Sequence, residues 1–315
     1  MVYIRNKKVK GLDYAYLVQS IWDHENSTSK QVTIKYLGKT SDINLEDIPD
    51  EYRNDPKIIA FISTYGYTHK EKEKVIPKLQ KEIFELCMQC NTDGLVNTYK
   101  EYSKLFYLVE FYDKLLKPVL YKIGDLWKQG KLDVATEHAS TNTVNSFVKV
   151  IEEQVSHKIN TATNVSKALL RSSICKIMIC TPEGELHNVS CNMMESLLVR
   201  RGYKVYNISP SVPADSVISY IENIEPDIIL ISVTNPDNIK AAERLIKQIV
   251  LKFDNEDNQN NNKHNKIPIV VGGLAFSDYP ENYLKEHEMV LMMQNASFEE
   301  IIKLIDFSTT KNTNK

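Results

Sequence analysis

Long apolar runs and an even set of cysteines are missing from this 315-residue sequence, and no leader is expected. No stretch approaches the ~20 apolar residues that a bilayer-crossing helix needs. Nothing near the start has the charged and apolar regions of a secretory signal. A cytoplasmic protein without membrane contact is the expectation. The five cysteines are Cys87, Cys90, Cys175, Cys180 and Cys191. An odd number without a leader argues against a disulfide framework. Cys87 and Cys90 form the CxxC of "CMQC", but a zinc ribbon needs a second pair and there is none. The pair reads as helix packing, since free cysteine behaves as a small buried hydrophobe. The formal net charge is only −2, so composition gives no general push toward nucleic acid. No nucleophile–base pair, phosphate-cradling loop or metal cluster stands out to make the chain an independent enzyme.

What is present is ordinary globular material, 42% hydrophobic and 25% charged, long enough for two or three domains. Residues 1–60 read as a small antiparallel β segment. Its strands lie in "VYIRNKKVKG", "DYAYLVQSIWD" and "KQVTIKYLGK", with Tyr14, Tyr16, Val18 and Ser20 alternating along one face. Arg5, Lys7, Lys8, Lys10, Lys30, Lys35 and Lys39 outnumber Asp13, Asp23 and Glu25. They make either solvated strand faces or a small basic surface open to nucleic acid. The segment ending in "KYLGK" resembles the N-terminal strand region of some transposase-like archaeal proteins, and that likeness carries no catalytic residue.

Residues 61–158 turn helical. Helices are expected over Lys72 to Cys90 and Leu95 to Tyr107. Leu116, Leu120, Ile123 and Trp127 step by four, three and four and so share one helical face. Pro118 should kink that helix or mark its early turn. Gly130 breaks it, and Asp133 suits the N-cap of the next helix, whose inner side takes Ala135, Phe147, Ile151 and Val155. A four-helix bundle follows. A polar, aperiodic stretch places a linker at 159–171.

From 172 to 315 strands and helices alternate. Strands are expected at Ile174–Cys180, Lys204–Ile208, Asp227–Ser232, Ile267–Val271 and Met289–Met293. Helices are expected at Asn188–Arg201, Ala214–Asn223, Asn238–Phe253, Glu281–Lys285 and Phe298–Ile305. This is a doubly wound parallel sheet of Rossmann-like, flavodoxin type. The polar run "NEDNQNNNKHNK" reads as a surface loop.

Ligands of such sheets bind beyond the carboxyl ends of the strands. There the first strand offers Glu185 and His187, the third Ser232 and Thr234, and the fourth Gly272 and Gly273. A neutral His can give Nε2 to a metal while a carboxylate holds its Nδ1–H, and Glu185 stands two residues from His187. A hydroxyl such as Ser232 can extend that hydrogen-bond chain. One His is too few for zinc, but it suits a metal already held in a macrocycle. Paired glycines let a bulky group approach the backbone.

"ELHNVS", "SVT" and "GG" resemble the (Asp/Glu)-x-His-x-x-Gly loop, Ser-x-(Leu/Thr) strand end and Gly-Gly turn of a known family. It is the cobalamin-binding domain shared by methionine synthase, corrinoid methyl carriers and cobalamin-dependent photoreceptor regulators. The likeness spans roughly residues 170–310. It implies that His187 is the lower axial ligand of cobalt, with the corrinoid base-off and His-on, tuned by Glu185 and Ser232. Asn188 and Ser190 complete the loop, and the nucleotide tail runs into a slot near Ser232, Thr234, Gly272 and Gly273. Ser190 stands where the family has Gly, which adds a Cβ and a hydroxyl at the slot.

The run "WKQGKLDVATEH" resembles the Trp-x9-Glu-His motif in the helical cap of the photoreceptor-regulator branch. The resemblance implies that Trp127, Glu137 and His138 surround the upper face, with adenosylcobalamin favoured over methylcobalamin. Lys128 replaces the His that light-sensing relatives carry next to that Trp, so a bis-His photoproduct is not expected. No helix-turn-helix precedes the bundle. Three functions follow from the likeness. The first is a sensor or regulator whose cofactor state alters a partner surface or a homo-oligomeric assembly. The second is a corrinoid methyl carrier serving a methyltransferase partner. The third is a degenerate interaction module that Ser190 has closed to cobalamin.

Overall fold

The computed structural model describes residues 2–9, 12–23, 28–40, 43, 45–53, 55, 58, 61–62, 69–103, 105–161, 175–253, 267–280, 283–284 and 288–312. The expected loop at 255–266 and most of the expected linker, 162–171, lie outside them; residues 159–161 belong to the end of a helix.

Strands β1 (Val2–Val9), β2 (Leu12–Asp23) and β3 (Thr28–Lys39) form an antiparallel sheet in that order. Ile4, Ala15 and Leu17 point to one face, where they pack with Ile43, Ile48 and Ile58. Cross-strand partners share a face, so Arg5, Tyr16 and Tyr36 stand together on the other side.

The bundle begins with α1 (His69–Met88) and α2 (Thr92–Tyr102). Cys87 is buried in the bundle core, as packing predicts. Cys90 is exposed instead and adopts φ 53° in the turn that ends α1, where Asn91 N–H donates to Leu86 O. The second helix starts and stops earlier than its pattern suggests. Asn91 accepts from Gly94 N–H at its head, and Tyr107, the expected last residue, opens the following helix instead.

That following helix, α3, is one rod built from Leu108–Glu110, a π-helical turn Phe111–Leu116, and Lys117–Lys128. Pro118 sits in the first α turn after the π turn. It has no N–H to give to Lys114 O four residues back, and Gln80 Nε2 from α1 donates to that carbonyl at 2.8 Å. Leu116 and Ile123 are buried, but Trp127 at the end of their stripe is 39% exposed.

Helix α4 (Val134–Thr161) starts at Asp133, whose carboxylate accepts from Thr136 N–H at 2.9 Å and Thr136 Oγ1–H at 2.6 Å, the expected N-cap. Phe147 and Ile151 are buried as expected; Ala135 is exposed instead, because the first turn of α4 projects beyond the core. Phe111, Phe147 and Tyr99 meet at the centre with ring centroids 5.1 to 6.1 Å apart.

The α/β domain has strands β4 (Lys176–Cys180), β5 (Lys204–Asn207), β6 (Ile228–Ser232), β7 (Ile269–Gly272) and β8 (Val290–Met293). All pair in parallel, in the order β5-β4-β6-β7-β8. Helices α5 (Val189–Arg200), α6 (Ala214–Ile224), α7 (Ile239–Phe253) and α8 (Phe298–Asn312) complete it. The short helix expected at Glu281–Lys285 falls mostly outside the described residues, of which Tyr283 and Leu284 form a turn.

Alternation along the strands sorts the core. Ile177 and Ile179 face the bundle together with α5 and α8, whereas Met178 and Cys180 face α6 and α7. The π turn of α3 is the docking point between the two bodies. Tyr112 OH lies 3.0 Å from Ser196 Oγ, both buried. Asp113 accepts the N–H groups of Phe298 and Glu299 at the head of α8, and Lys117 Nζ donates to Ala296 O at 2.8 Å.

Candidate functional site

The order in which strands are added reverses at β4 and β6, which remain parallel, so the loops after these strands flank the crevice where a doubly wound sheet receives its ligand. The loop after β4 is tied down. Ser211 Oγ accepts from Gly184 N–H at 2.9 Å, and Thr181 Oγ1 donates to Glu185 O at 3.1 Å.

Glu185 is completely buried. Its Oε1 accepts His187 N–H at 3.0 Å and lies 2.5 Å from His187 Nδ1. Its Oε2 accepts from Thr234 N–H at 2.9 Å, Asn235 N–H at 2.8 Å and Asn238 Nδ2 at 3.2 Å. Burial alone pushes the carboxyl up, but the bonds from His187, Asn235 and Thr234 outweigh it and hold the pKa at about 2. The hydrogen bond to Glu185 raises the pKa of His187 against the opposing effect of burial, with Glu137 adding to the rise and Lys128 countering it. The His187 side chain is 40% exposed. With Nδ1 committed to Glu185, Nε2 is the ring atom left for a ligand.

Ser232 does not extend this pair. Its Oγ lies 3.0 Å from Ser190 Oγ, and Thr234 contributes its backbone N–H to Glu185 instead. Ser190, Ser232, Thr234, Gly272 and Gly273 line a mainly apolar slot of about 150 Å³ that runs on past Met194, Leu230 and Phe298. The added side chain of Ser190 therefore leaves the slot open. Gly273 has a reason other than a close ligand: at φ 117°, a Cβ there would lie 2.1 Å from Val233 O. Gly272 borders the slot, and a Cβ there would be 3.1 Å from Met293 O.

A second cavity of about 160 Å³ adjoins the slot and shares Ser190, Thr234, Leu120, Tyr121 and Leu274 with it. It lies between cap and sheet, with His187 in one wall and Trp127, Lys128 and Glu137 in the other. His138 is not in that lining. Its side chain is 67% exposed, and its Nδ1 lies 2.5 Å from Glu137 Oε2. Thr141 Oγ1 donates to Glu137 Oε1 at 2.9 Å and fixes the carboxylate in place.

Asn188 follows His187 and joins an amide chain to the cap. Asn145 Nδ2 donates to Asn188 Oδ1 at 3.3 Å, and Asn192 Nδ2 donates to Asn145 Oδ1 at 2.9 Å. Sequence reasoning missed Asn145, Asn235 and Asn238. The turn signal in "NPDN" was available for the last two, because Asn235 accepts from Asp237 N–H as an Asx turn.

The residues fit a metal that arrives with most of its ligands. Among the described residues no group of three or more His, Cys, Asp or Glu could hold a metal ion alone. A single oriented imidazole beside an apolar slot matches a metal macrocycle with an appended tail.

Residues 175–301 match a family model described as "B12 binding domain", and residues 79–152 match a second with the same description. The chain is 24% identical over 187 residues to methionine synthase of Mycobacterium leprae, which covers 58% of this chain and 14% of that protein. It is 23% identical over 141 residues to the trimethylamine corrinoid protein of Methanosarcina barkeri, covering 44% of this chain and 61% of that one. The chain thus spans a small part of the first relative and under two thirds of the second. Among solved structures, the Methanosarcina barkeri monomethylamine corrinoid protein superposes with a TM-score of 0.55 at 12% identity, over 73% of this chain and 97% of that chain, a likeness of fold. With one B12-binding match on the helical bundle and another on the α/β domain, the chain belongs to the cobalamin-binding family that carries a helical cap.

Proposed function

We propose that the chain holds cobalamin base-off and His-on as a corrinoid methyl carrier. The observation that carries this reading is the Glu185–His187 pair, with His187 lining the cavity that adjoins the apolar slot. Bound corrinoid supplies a cobalt centre able to carry a transferable alkyl group. The protein's own residues do the rest. Glu185 keeps the Nδ1 proton of His187, so the Nε2 lone pair is the one presented to the cavity. Ser190, Ser232 and Gly272 flank the slot that takes the nucleotide tail. Leu120, Tyr121 and Trp127 exclude water from the wall opposite His187. The transfer role is supported by relatives whose names are methionine synthase and methylamine corrinoid proteins.

A second reading, a sensor of cofactor state, is favoured by one feature. Trp127 and Glu137 share the wall facing His187, where they can enclose an adenosyl group.

The test is an absorption spectrum after mixing the protein with methyl- and adenosylcobalamin in the dark, desalting, and illuminating. Retention with His-on bands that His187→Ala abolishes is the expected result. Preferential retention of the methyl form, with transfer to an added thiol by a partner methyltransferase, supports the carrier. Preferential retention of the adenosyl form supports the sensor. Unaltered bands in His187→Ala overturn the site.

A further inference from the structure

The outer face of the N-terminal sheet has no place in the corrinoid reading. Its side chains follow from the register. Lys7, Tyr14 and Lys39 form one cross-strand row, and Arg5, Tyr16 and Tyr36 form the next. A register shift between Ala15 and Tyr16, opposite Gly38 at φ 96°, brings Tyr36 and Lys39 onto the same side. The rings cluster: Tyr36 lies 5.1 Å from Tyr16 and 6.3 Å from Tyr14, centroid to centroid.

Arg5, Lys7 and Lys39 are exposed, and Tyr36 is 53% exposed. Arg5 donates to Gln31 Oε1, a neutral partner, so among the described residues this bond leaves its charge uncompensated. Asp13 pairs with Lys8 on the opposite face, and no acidic side chain shares the tyrosine face among the described residues. In a chain of net charge −2, three cations around three tyrosines form a local positive field.

We propose that this face binds single-stranded nucleic acid. Bases stack on aromatic rings regardless of sequence, while cations at the edge track the phosphates. A short sheet carrying both, with rings spaced about as far apart as neighbouring strands (~4.8 Å), presents them together. An acidic protein would be drawn by the charges but would gain little from the tyrosine lattice.

The experiment is fluorescence anisotropy of the full chain with labelled 20-nucleotide dT and rU oligomers over a range of salt. Binding is expected, with a slope of log K on log salt of about −2, from three phosphate contacts at roughly −0.7 each. R5E/K7E/K39E and Y16A/Y36A should each weaken binding at least tenfold, with an unchanged far-ultraviolet spectrum and unchanged corrinoid retention. Y16F/Y36F keeps the rings and should bind like the parent. No binding at low salt overturns the proposal. So does tighter binding of duplex than of single strand. So does binding that Y16A/Y36A leaves intact while polyaspartate competes for the cations, which is the acidic-protein outcome.

Discussion

Ser190 Oγ and Ser232 Oγ stand 3.0 Å apart, tying the first turn of α5 to the end of β6 in the lining of the slot. Both residues line the slot, so Ser190 takes up part of its wall without filling the space. Ser190→Gly should retain the fold and raise cobalamin affinity severalfold. Ser190→Phe should abolish retention without loss of stability. Titration followed by absorption spectroscopy checks both. A Phe variant that binds as the parent does would place the nucleotide tail elsewhere.

Glu185 should dominate the acid limb of stability of the cofactor-free protein. Its folded pKa of about 2 lies below the ordinary 4.5. Its contribution, about 3 kcal/mol, is therefore fully present above pH 4.5 and is lost as pH falls toward 2. The raised pKa of His187 acts oppositely. That part is present below pH 6.5 and fades as pH rises through the folded value. Urea unfolding from pH 2 to 8 should show Glu185→Gln flattening the acid limb. An acid limb as steep in Glu185→Gln as in the parent would contradict the assignment.

Asp113 fastens the cap to the head of α8. Asp113→Ala should cost about 1–2 kcal/mol, as removal of an N-cap does. Hydrogen exchange should quicken at the amides of Phe298 and Glu299 more than at β4. Exchange that rises uniformly over the chain would mean global destabilisation without a local clasp.

Cys90 occupies a left-handed turn at φ 53° and is exposed. Cys90→Gly should stabilise the protein by about 0.5–1 kcal/mol, because glycine enters that conformation without a Cβ penalty. Thermal melts read this directly, and a lower midpoint would show that the thiol makes a contact of its own.

Much of the architecture is written in periodicity. The β-to-α alternation after residue 172 and the Asp133 cap were legible because strands, helices and caps are local patterns. Glu185 and His187 were legible as a pair because they are two residues apart. The remaining donors to Glu185 come from about fifty residues downstream, and no local pattern announces them. Trp127 continues an apolar stripe yet leaves the core, and His138 turns away beside a Glu137 that stays. Where a helix emerges beyond its neighbours, spacing alone does not say which side chains still face inward. The π turn was marked only by Pro118, since the Gln80 that satisfies its orphaned carbonyl lies on another helix.

That π turn has a mechanical consequence. Rod α3 is clasped to the α/β domain at Tyr112, Asp113 and Lys117, near one end, while Trp127 projects at the other. The stretch between is a lever arm of about 15 Å, at 1.5 Å per residue. A tilt of roughly 10° about the clasp would sweep the indole by about 3 Å along that arm. Val119 and Ile123 on that arm are buried in the bundle core, so the rod could tilt over His187 only together with the bundle around it.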